Sequence, residues 1–197
     1  MKIVLIFLTL FFSACTTTQP HVSEYRLAPN IQEQEYMAKQ CRDKSLKVGQ
    51  VFSSNTLMSQ KMKYNQTEYQ ESVFTQSKWA RTPNKAISDA LVKSIRSSAL
   101  FSNTSTYKSR TKADLLLEAD IEKFIQYFEQ ENEKSYVEVV LTFNLLNTNN
   151  SKSLSHSTFT AKIDVGSVDA KGGVIALNLG LSKVLYETNI WLNGVCK

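Results

Sequence analysis

The sequence predicts an α+β domain, an antiparallel-rich sheet with two long helices packed on it as a two-layer sandwich. Two long stretches, Asp114 to Gln130 and Tyr136 to Thr148, place apolar residues at alternate positions, the period of strands that bury one face. Two others, one opening at Thr82-Pro83 and one at Asp169, place them at three-and-four spacing, the period of a helix that buries one stripe.

Residues 1–14 read as a cleaved signal peptide. Lys2 supplies a positive start and Ile3 to Phe12 an apolar run of about 10 residues, which is signal-peptide length and too short to span a bilayer. The run ends at Phe12-Ser13-Ala14-Cys15, which resembles the lipobox of bacterial lipoproteins, with Phe12 where Leu is usual. Ordinary signal peptidase, cutting after Ala14, would need a small residue where Phe12 stands. Cys15 then becomes the first mature residue and the lipid attachment point. Buried acyl chains contribute about 0.8 kcal/mol per CH₂, so one chain holds weakly and a triacylated cysteine holds stably.

Residues 15–44 are expected to form the lipidated cysteine and a tether with one short strand, and residues 45–197 a single domain. Thr16 to Val22 is polar, contains Pro20 and shows no periodicity, so it reads as a tether that reaches roughly 20 Å. Glu24 to Leu27 is a short strand candidate stopped by Pro29, and Asn30 to Asp43 has no apolar stripe and reads as irregular. Ser45 to Ser53 puts Leu46, Val48 and Phe52 on one buried face of a strand. Met62 and Tyr64 alternate with Lys61 and Lys63, Asn65-Gln66-Thr67 reads as a turn, and Tyr69 to Phe74 runs back, which makes a hairpin rich in aromatics.

Thr82 is expected to cap the first helix with its side chain, and Pro83 suits the first helical position because it loses no hydrogen bond there. Ile87, Ala90, Leu91, Ser94, Ile95 and Ser98 share the buried face of that helix, which runs to about Leu100. In the paired strands, Leu115, Leu117, Ala119 and Ile121 oppose Val137, Val139, Leu141, Phe143 and Leu145, with Glu118, Asp120 and Glu122 on the other side. The phase breaks at Lys123 to Ile125, as at a bulge. Asn147 to Ser151 is turn chemistry, and Phe159, Ala161, Ile163 and Val165 alternate in a last strand. The second helix buries Val174, Leu177, Leu181, Val184, Leu185, Thr188 and Trp191, and Gly180 suits close packing on the sheet.

A hydrophobic content of 42% and an aromatic content of 10% are those of a chain with a sizeable core. The net charge of +5 comes from Lys and Arg interspersed with Asp and Glu, a solvated surface and not a nucleic-acid footprint. With Cys15 lipidated, Cys41 and Cys196 remain in a compartment that permits disulfides, either as a bridge or as two thiols. No nucleophile elbow, zinc-binding helix motif, phosphate loop or CxxC is present, so neither an enzyme, a cofactor nor a metal is expected. His21 and His156 read as exposed polar residues, and the acidic triplet as the wet face of its strand.

Several short motifs carry a resemblance: Tyr25-Arg26-Leu27-Ala28-Pro29, Met62-Lys63-Tyr64, Trp79 four residues before Pro83, and Ala113-Asp114 opening a strand. Together with the lipobox they resemble the ABC-type transport auxiliary lipoproteins, the family that includes paraquat-inducible protein C. The resemblance implies a non-catalytic partner of MCE proteins and an ABC transporter, moving lipids between the two membranes of a Gram-negative envelope. It implies a periplasm-facing, lipid-anchored chain. Thr16, which is not the Asp that typically retains lipoproteins at the inner membrane, favours the outer one. Met62, Tyr64, Tyr69 and Trp79 are candidates for binding a partner or for homo-oligomer contacts, because Trp and Tyr dominate interface energetics. Trp79 also suits packing between hairpin and helix. Two other readings stand beside this one: an outer-membrane assembly or cell-wall-synthase accessory lipoprotein, and a lipid carrier with an apolar cavity.

Overall fold

The structure, a computed structural model, describes residues 20–31, 41–67, 69–129 and 134–195. The signal peptide, Cys15, the start of the tether, most of Asn30 to Asp43 and Cys196 lie outside these residues. Among the described residues, eight strands form one open sheet: β1 (Ser23–Tyr25), β2 (Ser45–Ser53), β3 (Lys61–Thr67), β4 (Gln70–Trp79), β5 (Asn103–Thr106), β6 (Leu115–Glu129), β7 (Lys134–Asn147) and β8 (Lys152–Asp164). Helix α1 (Pro83–Ser98) lies against β2 and β5, and α2 (Ala170–Val195) against β7 and β8. The two helices touch, and Asn189 Nδ2 donates to Ser94 Oγ across the seam at 2.9 Å.

The sheet is mixed: its longest pairings are antiparallel, as expected, and shorter parallel pairings, which the sequence did not show, join the remaining strands. β6–β7, β7–β8 and β3–β4 are antiparallel, whereas β1–β4, β2–β5, β2–β6 and β3–β6 are parallel. β7 pairs with β6 along its whole length, so β2 and β3 share the other edge of β6. β2 takes Leu115–Ile121, and β3 takes Gln126 and Tyr127. The bulge between Ile121 and Lys123 falls where one neighbour gives way to the other. β1, the short strand expected within residues 15–44, pairs with β4 and so joins the sheet.

Local differences follow from register. A shift in the pairing between Val48 and Val51 buries Val51 and turns Phe52 outward, 57% exposed, against the expected Leu46-Val48-Phe52 face. β3 continues through Thr67, so the hairpin reverses between Thr67 and Gln70 and not at Asn65. Thr82 stands at the N-cap of α1, but its hydroxyl bonds the Asn84 side chain and makes no side-chain cap. Its carbonyl instead accepts from the Lys85 and Ala86 amides. The six expected core residues of α1 are all buried. α2 starts on Asp169, whose carboxylate accepts from the Gly172 amide at 2.7 Å. Gly180 sits over the sheet, where a Cβ would meet Val139 and Ala161.

Candidate functional site

The hairpin aromatics come to rest at different depths. The Trp79 amide donates to Gln60 O at 2.8 Å, and the next amide, Ala80, donates to Tyr25 O at 2.7 Å. Gln60 Nε2 closes the junction on Ala80 O at 2.8 Å. This places the indole in the core, 4% exposed and 6.1 Å from the Phe124 ring, with Met62 beside it at 3%. Neither side chain is exposed on this domain: Trp79 takes the packing position between hairpin and helix that the sequence also suggested, and Met62 is not among the exposed candidates.

Tyr64 is half-buried. Its ring lies 4.5 Å from Phe74 and 5.0 Å from Phe128, and these three rings floor an open groove of about 550 Å³. Tyr25 and the start of α2, Val168 to Lys171, wall one side, and Gln66, Gln76 and Ser77 supply a polar rim. Tyr69 stands apart from the groove at the hairpin tip, 92% exposed. Of the four residues singled out in the sequence, Tyr64 alone lines this groove. Phe74 was legible as a hairpin aromatic, whereas Phe128 and Tyr25 arrive from other strands through pairing. An aromatic floor with a polar rim is suited to seating an apolar or aromatic side chain of another molecule.

A second aromatic column lies on the sheet face away from the helices. Tyr127 and Tyr136 stack at 5.0 Å with an interplanar angle of 13°, and Lys162 Nζ sits 3.6 Å above Tyr136. Lys123 donates to Glu138 at 2.7 Å, and this carboxylate raises the Lys123 pKa, while burial raises that of Tyr127. These residues come from three strands, and the only sequence signal for them is register. The acidic triplet shares the same face. Glu118 accepts from Asn144 at 3.2 Å and Glu122 from Thr142, so two of the three carboxylates are engaged within the sheet. Among the described residues, no group of three or more His, Cys, Asp or Glu is placed to hold a metal.

Beneath the hairpin, a cavity of about 90 Å³ is lined by Met62, Phe74, Trp79, Phe124, Gln126 and Leu177. Small-molecule sites run to about 300–1,000 Å³. Gln126, 2% exposed, spans from β6 to the start of α2, donating to Ser135 Oγ at 2.8 Å and to Asp169 O at 3.3 Å. Cys41 is buried, 2% exposed, and disulfide-bonded.

Asp114 organises the far end of β6. Its carboxylate accepts from the Ser45 amide at 2.7 Å and the Ser45 hydroxyl at 2.6 Å, and the Asp114 amide donates back to Ser45 Oγ at 3.0 Å. The hydroxyl and then the amide hold the Asp114 pKa below the usual carboxylate range. The Thr148 amide and hydroxyl both donate to Asp114 O, tying the end of β7 to the same point.

The described residues form a single sheet with both of their helices on one face and an aromatic groove open to solvent, and no helix among them is long and apolar enough to cross a membrane. Residues 25–187 match the model of the ABC-type transport auxiliary lipoprotein component, and the chain belongs to that family. The fold is similar to that of protein XCC0632 from Xanthomonas campestris, 17% identical, with a TM-score of 0.80 over 88% of this chain and 96% of that one. A second solved structure, of an uncharacterized protein, is 15% identical, with a TM-score of 0.67 over 87% and 99% of the two chains. At these identities the likeness is one of fold. No curated protein matches the chain. Family membership supports an accessory role in ABC-type transport as a lipoprotein.

Proposed function

We propose that the chain is a non-catalytic docking component of an MCE and ABC-transporter lipid transport system, anchored by Cys15 and facing the periplasm, with the outer membrane as its site. The observation that carries this reading is the family match across residues 25–187, which takes in the sheet from Tyr25 onward, α1, most of α2 and the aromatic groove. The lipobox at Cys15 supplies the anchor. The groove formed by Tyr64, Phe74 and Phe128 offers a partner surface, and exposed Tyr69 at the hairpin tip offers a separate contact. The lipid-carrier alternative fits less well, because the cavity beneath the hairpin is small beside a ligand site and the larger aromatic groove lies open to solvent.

Two experiments test the reading. The chain, extracted with its lipid, is expected to co-purify with MCE and ABC-transporter components, and recovery of a cell-wall synthase or an outer-membrane assembly machine in their place would overturn the assignment. Cys15→Ala is expected to abolish incorporation of a fatty-acid probe and leave unprocessed precursor in the membrane fraction. Continued labelling of that variant would sink the lipobox.

A further inference from the structure

A helix lying on a sheet ordinarily buries one stripe and shows water a polar one. α2 departs from this. Opposite its buried residues it exposes Ile175, Leu179, Tyr186 and Ile190, at 54%, 55%, 42% and 48%. With 3.6 residues per turn, these four fall within an arc of about 60° and extend about 22 Å along the axis. Lys171 and Lys183, both exposed, edge the arc on either side. The one acidic residue of α2, Glu187, lies off the arc and is half-buried.

The chain arriving from the anchor joins the fold beside this stripe. The Ala28 amide donates to Asn178 Oδ1 at 2.6 Å, and Tyr25 shares a groove with Val168 to Lys171. Thr16 to Val22 reaches roughly 20 Å, comparable with the stripe itself, so a lipid on Cys15 keeps the first half of α2 within reach of the bilayer. Alkyl side chains and a tyrosine, edged by lysines whose ammonium groups extend toward phosphates, match the chemistry of a membrane interface.

We propose that the outer face of α2 docks on the anionic lipid surface that holds the anchor, with the helix lying in the membrane plane. Docking this way turns the sheet face bearing Tyr127, Tyr136 and the acidic triplet away from the lipid. The proposal rests on lipid attachment at Cys15, part of the function proposed above. To test it, the acylated full chain carrying Leu179→Cys, or Thr158→Cys on the opposite sheet face, is labelled with an environment-sensitive fluorophore. It is then reconstituted into vesicles of phosphatidylethanolamine and phosphatidylglycerol. The label at 179 is expected to shift to the blue and to be quenched by a lipid-borne nitroxide about fivefold more than the label at 158. Ile175→Ser combined with Ile190→Ser is expected to remove that difference while the melting temperature holds. Equal quenching at the two sites, in protein shown by mass to carry acyl chains, overturns the docking and leaves the anchor standing. A chain without acyl groups takes down both. Protection at 179 that grows with the protein-to-lipid ratio and ignores the nitroxide means that a second copy covers the face, and it too overturns the proposal.

Discussion

Ser45 and Asp114 exchange three hydrogen bonds and thereby fix where β2 and β6 begin relative to one another. Because the folded carboxyl titrates below its unfolded value, this clamp stabilises the fold above the unfolded pKa and loses its effect as pH falls through the folded one. Ser45→Ala removes the larger of the two donors, so the Asp114 carboxyl is expected to titrate nearer the usual range in an NMR pH series. An unchanged midpoint would mean the amide alone holds it. Depth separates two other aromatic residues, both candidates for partner contacts in the sequence. Trp79→Ala empties a core site and is expected to cost about 3–5 kcal/mol in chemical denaturation, whereas Tyr69→Ser, at the exposed tip, is expected to stay within about 0.5 kcal/mol. If Tyr69 contacts a partner, the Ser variant also weakens pull-down of that partner while the melting temperature holds. Packing of Trp79 between hairpin and helix was legible as one of two readings, whereas the exposure of Tyr69 was not, because the hairpin reverses between Thr67 and Gln70 and not at Asn65.

At the scale of elements, both helices and the β6–β7 pair were legible, since each shows a long uninterrupted period. Strand direction was not. Side chains alternate with period two in parallel and antiparallel strands alike, so periodicity carries no sign for the pairing. The parallel neighbours β2 and β6 are joined through α1, and β6 changes partner at its bulge. The aromatic groove was legible only in part for the same reason, since Phe128 reaches Tyr64 through the β3–β6 pairing. The start of α2 depends on a close approach that periodicity does not show. A Cβ on Gly172 would lie 2.0 Å from the backbone oxygen of Ser167, which cannot swing aside as a side chain can. Gly172→Ala is therefore expected to destabilise by about 1–3 kcal/mol, as overpacking does. Loss of stability below about 0.5 kcal/mol in a denaturation series would show that the turn before α2 adjusts freely.

At the scale of the whole molecule, the partner of the disulfide-bonded Cys41 decides how much of the chain that bond encloses. That cysteine is buried and bonded, and it belongs to the same apolar core on which Val195, the last described residue of α2, packs. Cys196 follows Val195 directly in the chain, while Cys15 is committed elsewhere if it carries lipid. We therefore propose the pair Cys41–Cys196, which joins the segment entering β2 to the end of α2 and closes a loop around nearly the entire domain. In the chain-entropy model a loop of that length stabilises by about 4–5 kcal/mol, chiefly by constraining the unfolded chain. Cys196→Ser is expected to lower stability by up to that amount, and a reductant is expected to produce the same loss in the parent chain and no further loss in the variant. The final comparison matters most, because a general effect of reductant on the fold would lower both proteins equally. Two alkylatable thiols in the unreduced, unfolded, acylated chain would rule the pairing out and leave the junction of Tyr25, Gln60 and Ala80 as the main tie between the N-terminal segment and the sheet.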